Sequence, residues 1–181
     1  MTVKVLIVDD DACRRSHIAK LLTSHCGSSV LVFESGSIAG ALKKFLEHRI
    51  DLLITDIALP QLDDDPALAD GGESLIRQLD ELAPQVVPPR WTVAITAHED
   101  SRRLTQSSFA HRLVGVLDAR PGQKGWEEQM VRFCRRAVDS CVADRSPRAD
   151  VCFLTALNSP ELEGVQQLPI DWGMRTVSPF F

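Results

Sequence analysis

The chain has 181 residues, enough for one domain of ordinary size and a further piece, and 44% of them are apolar, enough to fill a sizeable core. Its formal charge of −5 offers no basic footprint for nucleic acid. The five cysteines are scattered, without the paired spacing of a zinc site, and fit reduced thiols in a cytosol.

The N-terminus has no basic stretch or cleavage site before its first strand, and no apolar run is long enough to span a membrane, so a soluble cytoplasmic protein is expected. Val3–Val8 is a β-branched apolar strand ending in Asp9-Asp10-Asp11. These acids can cap a helix over 12–25 with Ile18, Leu21 and Leu22 inward, closed by Gly27. A second strand covers 30–33. Ser35-Gly36-Ser37 then leads into a second helix, with Ile38, Ala41, Leu42, Phe45 and Leu46 on one stripe.

Leu52–Thr55 is a third strand, followed at once by Asp56 and then by Pro60. The loop after it is acidic, with Asp63, Asp64, Asp65 and Asp70 and the pair Gly71-Gly72. A third helix is predicted over 73–82, a fourth strand over 91–96, a polar fourth helix over 99–109 and a fifth strand over 113–117. The last helix, 125–142, turns Trp126, Met130, Phe133, Ala137, Val138 and Cys141 to one side.

Five strands alternating with five helices call for a parallel sheet covered on both faces, and the continuous apolar strands suit one. The fold class is therefore α/β, doubly wound and five-stranded. Residues 1–143 form this domain, 144–150 a polar linker, and 151–181 a C-terminal extension or the start of a second domain.

Asp9, Asp10, Asp56, Thr96 and Arg120 all fall at carboxyl ends of predicted strands, which lie on one edge of a parallel sheet. Carboxylates brought together repel unless a cation neutralises them, and oxygen-only ligands suit Mg²⁺. An Asp beside such an ion can act as a nucleophile toward phosphorus, with a hydroxyl and a fixed cation on the phosphoryl oxygens.

The stretches VLIVDDD, LLITDIALP and AITA, with Arg120-Pro121 after strand 5, resemble the receiver domain of two-component response regulators. The resemblance implies a flavodoxin-like sheet of order 2-1-3-4-5 and a phosphoacceptor at Asp56. It implies Mg²⁺ held directly by Asp10 and Asp56, through water by Asp9, and by the backbone carbonyl of Ala58. It makes Thr96 the hydroxyl that moves on phosphorylation and Arg120 the phosphate-binding cation. The implied partners are a histidine kinase or phosphotransfer protein, a fused or separate output domain, and a second copy meeting the face of strand 4, strand 5 and the last helix. No nucleic acid or membrane partner is implied.

Such a domain catalyses its own phosphorylation and dephosphorylation and is not an enzyme with an independent substrate. Two departures stand out: Arg120 where the family has lysine, and Leu117 where it has an aromatic residue. They raise the alternative of a degenerate receiver that acts by protein contacts without phosphorylation. A phosphohydrolase with an aspartyl nucleophile is disfavoured, because its general-acid position is Ala58. The stretch VCFLTALNSPELEGV, 151–165, weakly resembles the opening of nucleoside phosphorylase-like domains.

Overall fold

The β-branched runs of the chain pair into one parallel sheet of order β2-β1-β3-β4-β5. The strands are β1 (Val3–Val8), β2 (Val30–Ser35), β3 (Leu52–Asp56), β4 (Trp91–Thr96) and β5 (Gly115–Asp118). The helices are α1 (Ala12–Cys26), α2 (Ile38–Glu47), α3 (Gly71–Glu81) and α4 (Trp126–Ala143). This computed structural model describes residues 2–83, 85–97 and 115–143. The predicted helix over 99–109, the linker and the C-terminal extension lie outside the described residues.

Side chains alternate across the strands and so fill two cores. Val5 and Ile7 of β1, Leu52 and Ile54 of β3, and Val93 and Ile95 of β4 pack with Ile18 and Leu22 of α1 and Met130, Phe133, Cys134 and Ala137 of α4. Leu6, Val8 and Leu53 point the other way, against Ile38, Ala41 and Phe45 of α2 and Leu75, Ile76 and Leu79 of α3. Burial on both faces is what turns these strands into unbroken apolar runs.

β1 and β3 lie inside the sheet and are almost wholly buried, whereas β2 is an edge strand and leaves Leu31 exposed. The α2 stripe also stops earlier than the periodicity predicts, since Leu46 is 57% exposed. Phe45 is the last residue of that helix in the core. On α4 the pattern understates the contact, because Val131 and Cys134 are buried too. Cys26 at the end of α1 lies with its sulfur 3.6 Å from that of Cys134. Both are free thiols.

The ends of the helices are set by local chemistry. Asp11 caps α1, its carboxylate accepting from the amides of Cys13 and Arg14 at 2.8 and 3.1 Å. Ser37 caps α2 by accepting from the Gly40 amide. Gly71 and Gly72 are not loop spacers: they form the first turn of α3, buried against the exit of β3. The Gly72 amide donates to the carbonyl of Ile57 at 2.8 Å, and a Cβ there would lie 2.5 Å from the Asp56 carbonyl oxygen. The acidic loop between β3 and α3 is closed at its base by an antiparallel bridge from Leu59 to Leu68, and Asp63–Asp65 stay at its exposed tip.

Candidate functional site

The register of the parallel strands brings their carboxyl ends to one edge. Asp56 is the last residue of β3 and stands opposite Ile95, while Thr96 at the end of β4 stands opposite Asp118 of β5. Asp9 and Asp10 follow β1 directly. Carboxylate oxygens of Asp9, Asp10 and Asp56 lie within 4.8 Å of one another. Asp9 and Asp56 are buried and Asp10 is exposed. The three acids that the strand ends predicted to converge do converge.

Burying two carboxylates costs hydration, and here a cation sits between them. The guanidinium of Arg14, in the first turn of α1, donates from Nε to Asp9 Oδ2 at 2.5 Å and from Nη2 to Asp9 Oδ1 at 3.0 Å. The same Nη2 donates to Asp56 Oδ2. The Arg14 side chain is 17% exposed, against 1% for Asp9 and 8% for Asp56. The neighbouring Arg15 donates to the backbone carbonyl of Asp9 at 2.5 Å and pairs with Glu34 at 3.4 Å.

Asp56 has its second oxygen, Oδ1, capped by the amide of Ile57 at 2.6 Å. Burial pushes the Asp56 carboxyl up to about 6; Arg14 pulls it down, the Asp9 charge pushes it up, and the Ile57 and Ala58 amides pull it down. Burial likewise raises Asp9, opposed by its bonds to Arg14. Arg14, flanked by Asp9, Asp56 and Asp11, is held still more firmly as a cation, although its own burial works the other way.

Thr96 is buried at the end of β4, and its carbonyl accepts from the Ala119 amide at 2.9 Å. Arg120, two residues beyond β5, is gripped by Asp118: Nε lies 2.9 Å from Oδ1, and Nη2 lies 2.6 Å from Oδ2. Leu117 is buried in the core shared by α1 and α4. Ala58 follows Asp56 in the bend and is half-buried.

Arg14 is the site residue that sequence reasoning missed. A signal for it was present. The first turn of α1 holds no acid and two arginines, although a helix N-terminus favours negative charge. Cations placed there need an anion nearby, and Asp9 supplies it.

The profile of the response regulator receiver domain matches residues 5–118. The chain is 24% identical to the uncharacterized protein y4jS of Sinorhizobium fredii, over 96% of this chain and 45% of that protein. It is 36% identical to the chemotaxis protein CheY of Bacillus subtilis, over 46% of this chain and 63% of that protein. The chain thus spans less than two thirds of each of these curated relatives. Among solved structures, a response regulator receiver domain protein from Clostridium thermocellum superposes with a TM-score of 0.57 at 20% identity, covering 78% of this chain and 98% of that one. At that identity the likeness speaks to fold.

Proposed function

Because the chain belongs to the response regulator receiver domain family, we propose that it is a phosphorylated switch whose acceptor is Asp56. The observation that carries this reading is the setting of Asp56 at the end of β3. Its Oδ1 is fixed by the Ile57 amide, its Oδ2 accepts from Arg14, and its carboxylate lies beside those of Asp9 and Asp10.

With its carboxyl pushed up to about 6, Asp56 is mostly ionised at neutral pH and remains a nucleophile. Its Oδ2, once Arg14 releases it, forms a bond to phosphorus as the phosphorus–nitrogen bond of a kinase phosphohistidine breaks, and the released imidazole takes up a proton. The donor set fits Mg²⁺. It consists of hard carboxylate oxygens close enough together to share one ion, one of the residues being solvent-facing as a hydrated ion requires. Asp9, Asp10 and Asp56 would hold it, with the backbone carbonyl of Ala58. Bound there, the ion would supply positive charge to the oxygens of the transferring group.

This chain's own residues supply the rest. The Thr96 hydroxyl binds a phosphoryl oxygen, and Arg120 contributes the fixed charge, for which it must exchange Asp118 as a partner. The switch is a shift between two conformations, read out at the face of β4, β5 and α4 by a fused or separate output domain or by a second copy. The domain catalyses its own phosphorylation and dephosphorylation in the cytoplasm and turns over no separate substrate.

The second reading, a receiver working by contact without phosphate, is favoured by the two arginines, since Arg14 bridges the acids and Asp118 holds Arg120. Intact mass after incubation with Mg²⁺ and acetyl phosphate separates the two. A labile phosphoryl adduct on wild type and none on Asp56→Asn is the expected result. No adduct on either, with beryllofluoride also silent in Trp91 fluorescence, would leave the contact module.

A further inference from the structure

We infer that Arg14 is a tethered cation that competes with the divalent ion for the acidic pocket. The inference rests on the proposed function only in taking that ion to bind at Asp9, Asp10 and Asp56.

One nitrogen of Arg14, Nη2, bonds oxygens of both Asp9 and Asp56. It therefore lies between the same two carboxylates that an ion shared by them would bridge. Nε completes a forked contact with Asp9, which spends both Asp9 oxygens on the guanidinium. The Asp56 oxygen that is not fixed by the Ile57 amide is also spent on it. An ion that bridges the two carboxylates as Nη2 does must displace Arg14 from that position. A divalent ion and a guanidinium on the same carboxylates would also repel each other, which drives the same exchange.

Arg14 can leave without unfolding the helix that carries it. Its amide is fixed to the capping Asp11 at 3.1 Å, so the backbone stays in place while the side chain swings. It is partly exposed already, and Asp11 provides a third carboxylate, exposed to solvent, that already favours its charge. The pocket therefore has two closed states. In one it is occupied by its own arginine. In the other the ion has replaced the guanidinium, and Asp56 is released from it.

Breaking a hydrogen bond to a charged group commonly changes an equilibrium constant by roughly tenfold or more. Removing Arg14 should therefore tighten Mg²⁺ binding by at least about tenfold. The test is calorimetric titration of the full chain with MgCl₂, in wild type, Arg14→Met and Arg14→Lys. Met keeps much of the apolar stem and loses the charge, and Lys keeps the charge and loses the fork. Tighter binding by Arg14→Met, with Arg14→Lys between it and wild type, is expected. Equal or weaker binding by Arg14→Met overturns the inference.

A measurement on wild type covers the case in which Arg14→Met fails to fold without metal. The Arg14 Nε–H, bonded to buried Asp9, should exchange slowly in EDTA and become fast-exchanging at saturating Mg²⁺. Slow exchange persisting at saturation overturns the inference. Neither measurement needs phosphate. A phosphoryl adduct on Asp56 with no effect of Arg14 on Mg²⁺ affinity sinks this inference and keeps the proposed function; the reverse pair of results does the opposite.

Discussion

Asp56→Asn should stabilise the metal-free protein at neutral and alkaline pH and do so much less under acid conditions. Asp56 and Asp9 are two buried carboxylates sharing one guanidinium, so the ionised pocket carries an excess negative charge. Burial is the largest cause of the rise of the Asp56 carboxyl from its ordinary 3.8 to about 6. The folded protein therefore holds a proton there more tightly than the unfolded chain does. Between these two values the native state binds more protons, and stability falls as pH rises. The contribution is fully present below about pH 4 and lost as pH passes through about 6.

The difference is about 2 pKa units, each worth about 1.4 kcal/mol, so the ionised Asp56 costs roughly 3 kcal/mol of stability above pH 7. Asparagine removes that cost, leaves Asp9 with Arg14 to itself, and keeps an oxygen for the Ile57 amide. Urea unfolding in EDTA, followed by tryptophan fluorescence at intervals from pH 4.5 to 8, measures it. The gain of the variant over wild type should grow across this range and level off above about pH 7. A gain that is constant with pH, or one that shrinks as pH rises, would refute the reasoning, because it would mean that ionising Asp56 costs the fold nothing.

Gly72→Ala places a Cβ 2.5 Å from the Asp56 carbonyl oxygen. It should destabilise by about 1–3 kcal/mol in the same unfolding assay, and an unchanged midpoint would show that α3 can slide off the β3 exit. Asp11→Ala removes the acceptor for the Cys13 and Arg14 amides and should cost about 1 kcal/mol. A loss below the error of the urea midpoint would count against the cap. Leu117→Tyr puts the aromatic residue usual in the family into a position packed among Met130, Phe133 and Ile95. It should lower stability by about 1–3 kcal/mol through overpacking, and a rise in the unfolding midpoint would show spare volume there.

Which parts of the molecule were legible follows from how far each residue acts. The strands were read to within a residue or two, because a strand buried on both faces has to be apolar throughout. Val3–Val8, Leu52–Asp56 and Trp91–Thr96 are such strands. Acids placed directly after them needed no further information to be brought together, since the end of a parallel strand fixes its neighbour's end. The misreadings lie where a second element decides the outcome. Leu46 continues the stripe of α2 but reaches past the core edge into solvent. Gly71 and Gly72 look like loop glycines until α3 is laid against the β3 exit, where their missing side chains make the contact.

Arg14 combines both lessons. Its partners, Asp9 and Asp56, are 5 and 42 residues away in sequence and lie at the carboxyl ends of two different strands. Only a long side chain reaching back from the first turn of α1 can join them, and its path depends on torsions that hydrophobic periodicity does not record. Helix electrostatics did mark the position, because an arginine at the positive end of a helix is unfavourable without an anion to hold it. Apolar patterns locate the sheet edge and its acids. Charges set against a helix dipole point to what neutralises them, and in this chain that is the difference between an acidic pocket open to an ion and one with a cation already attached.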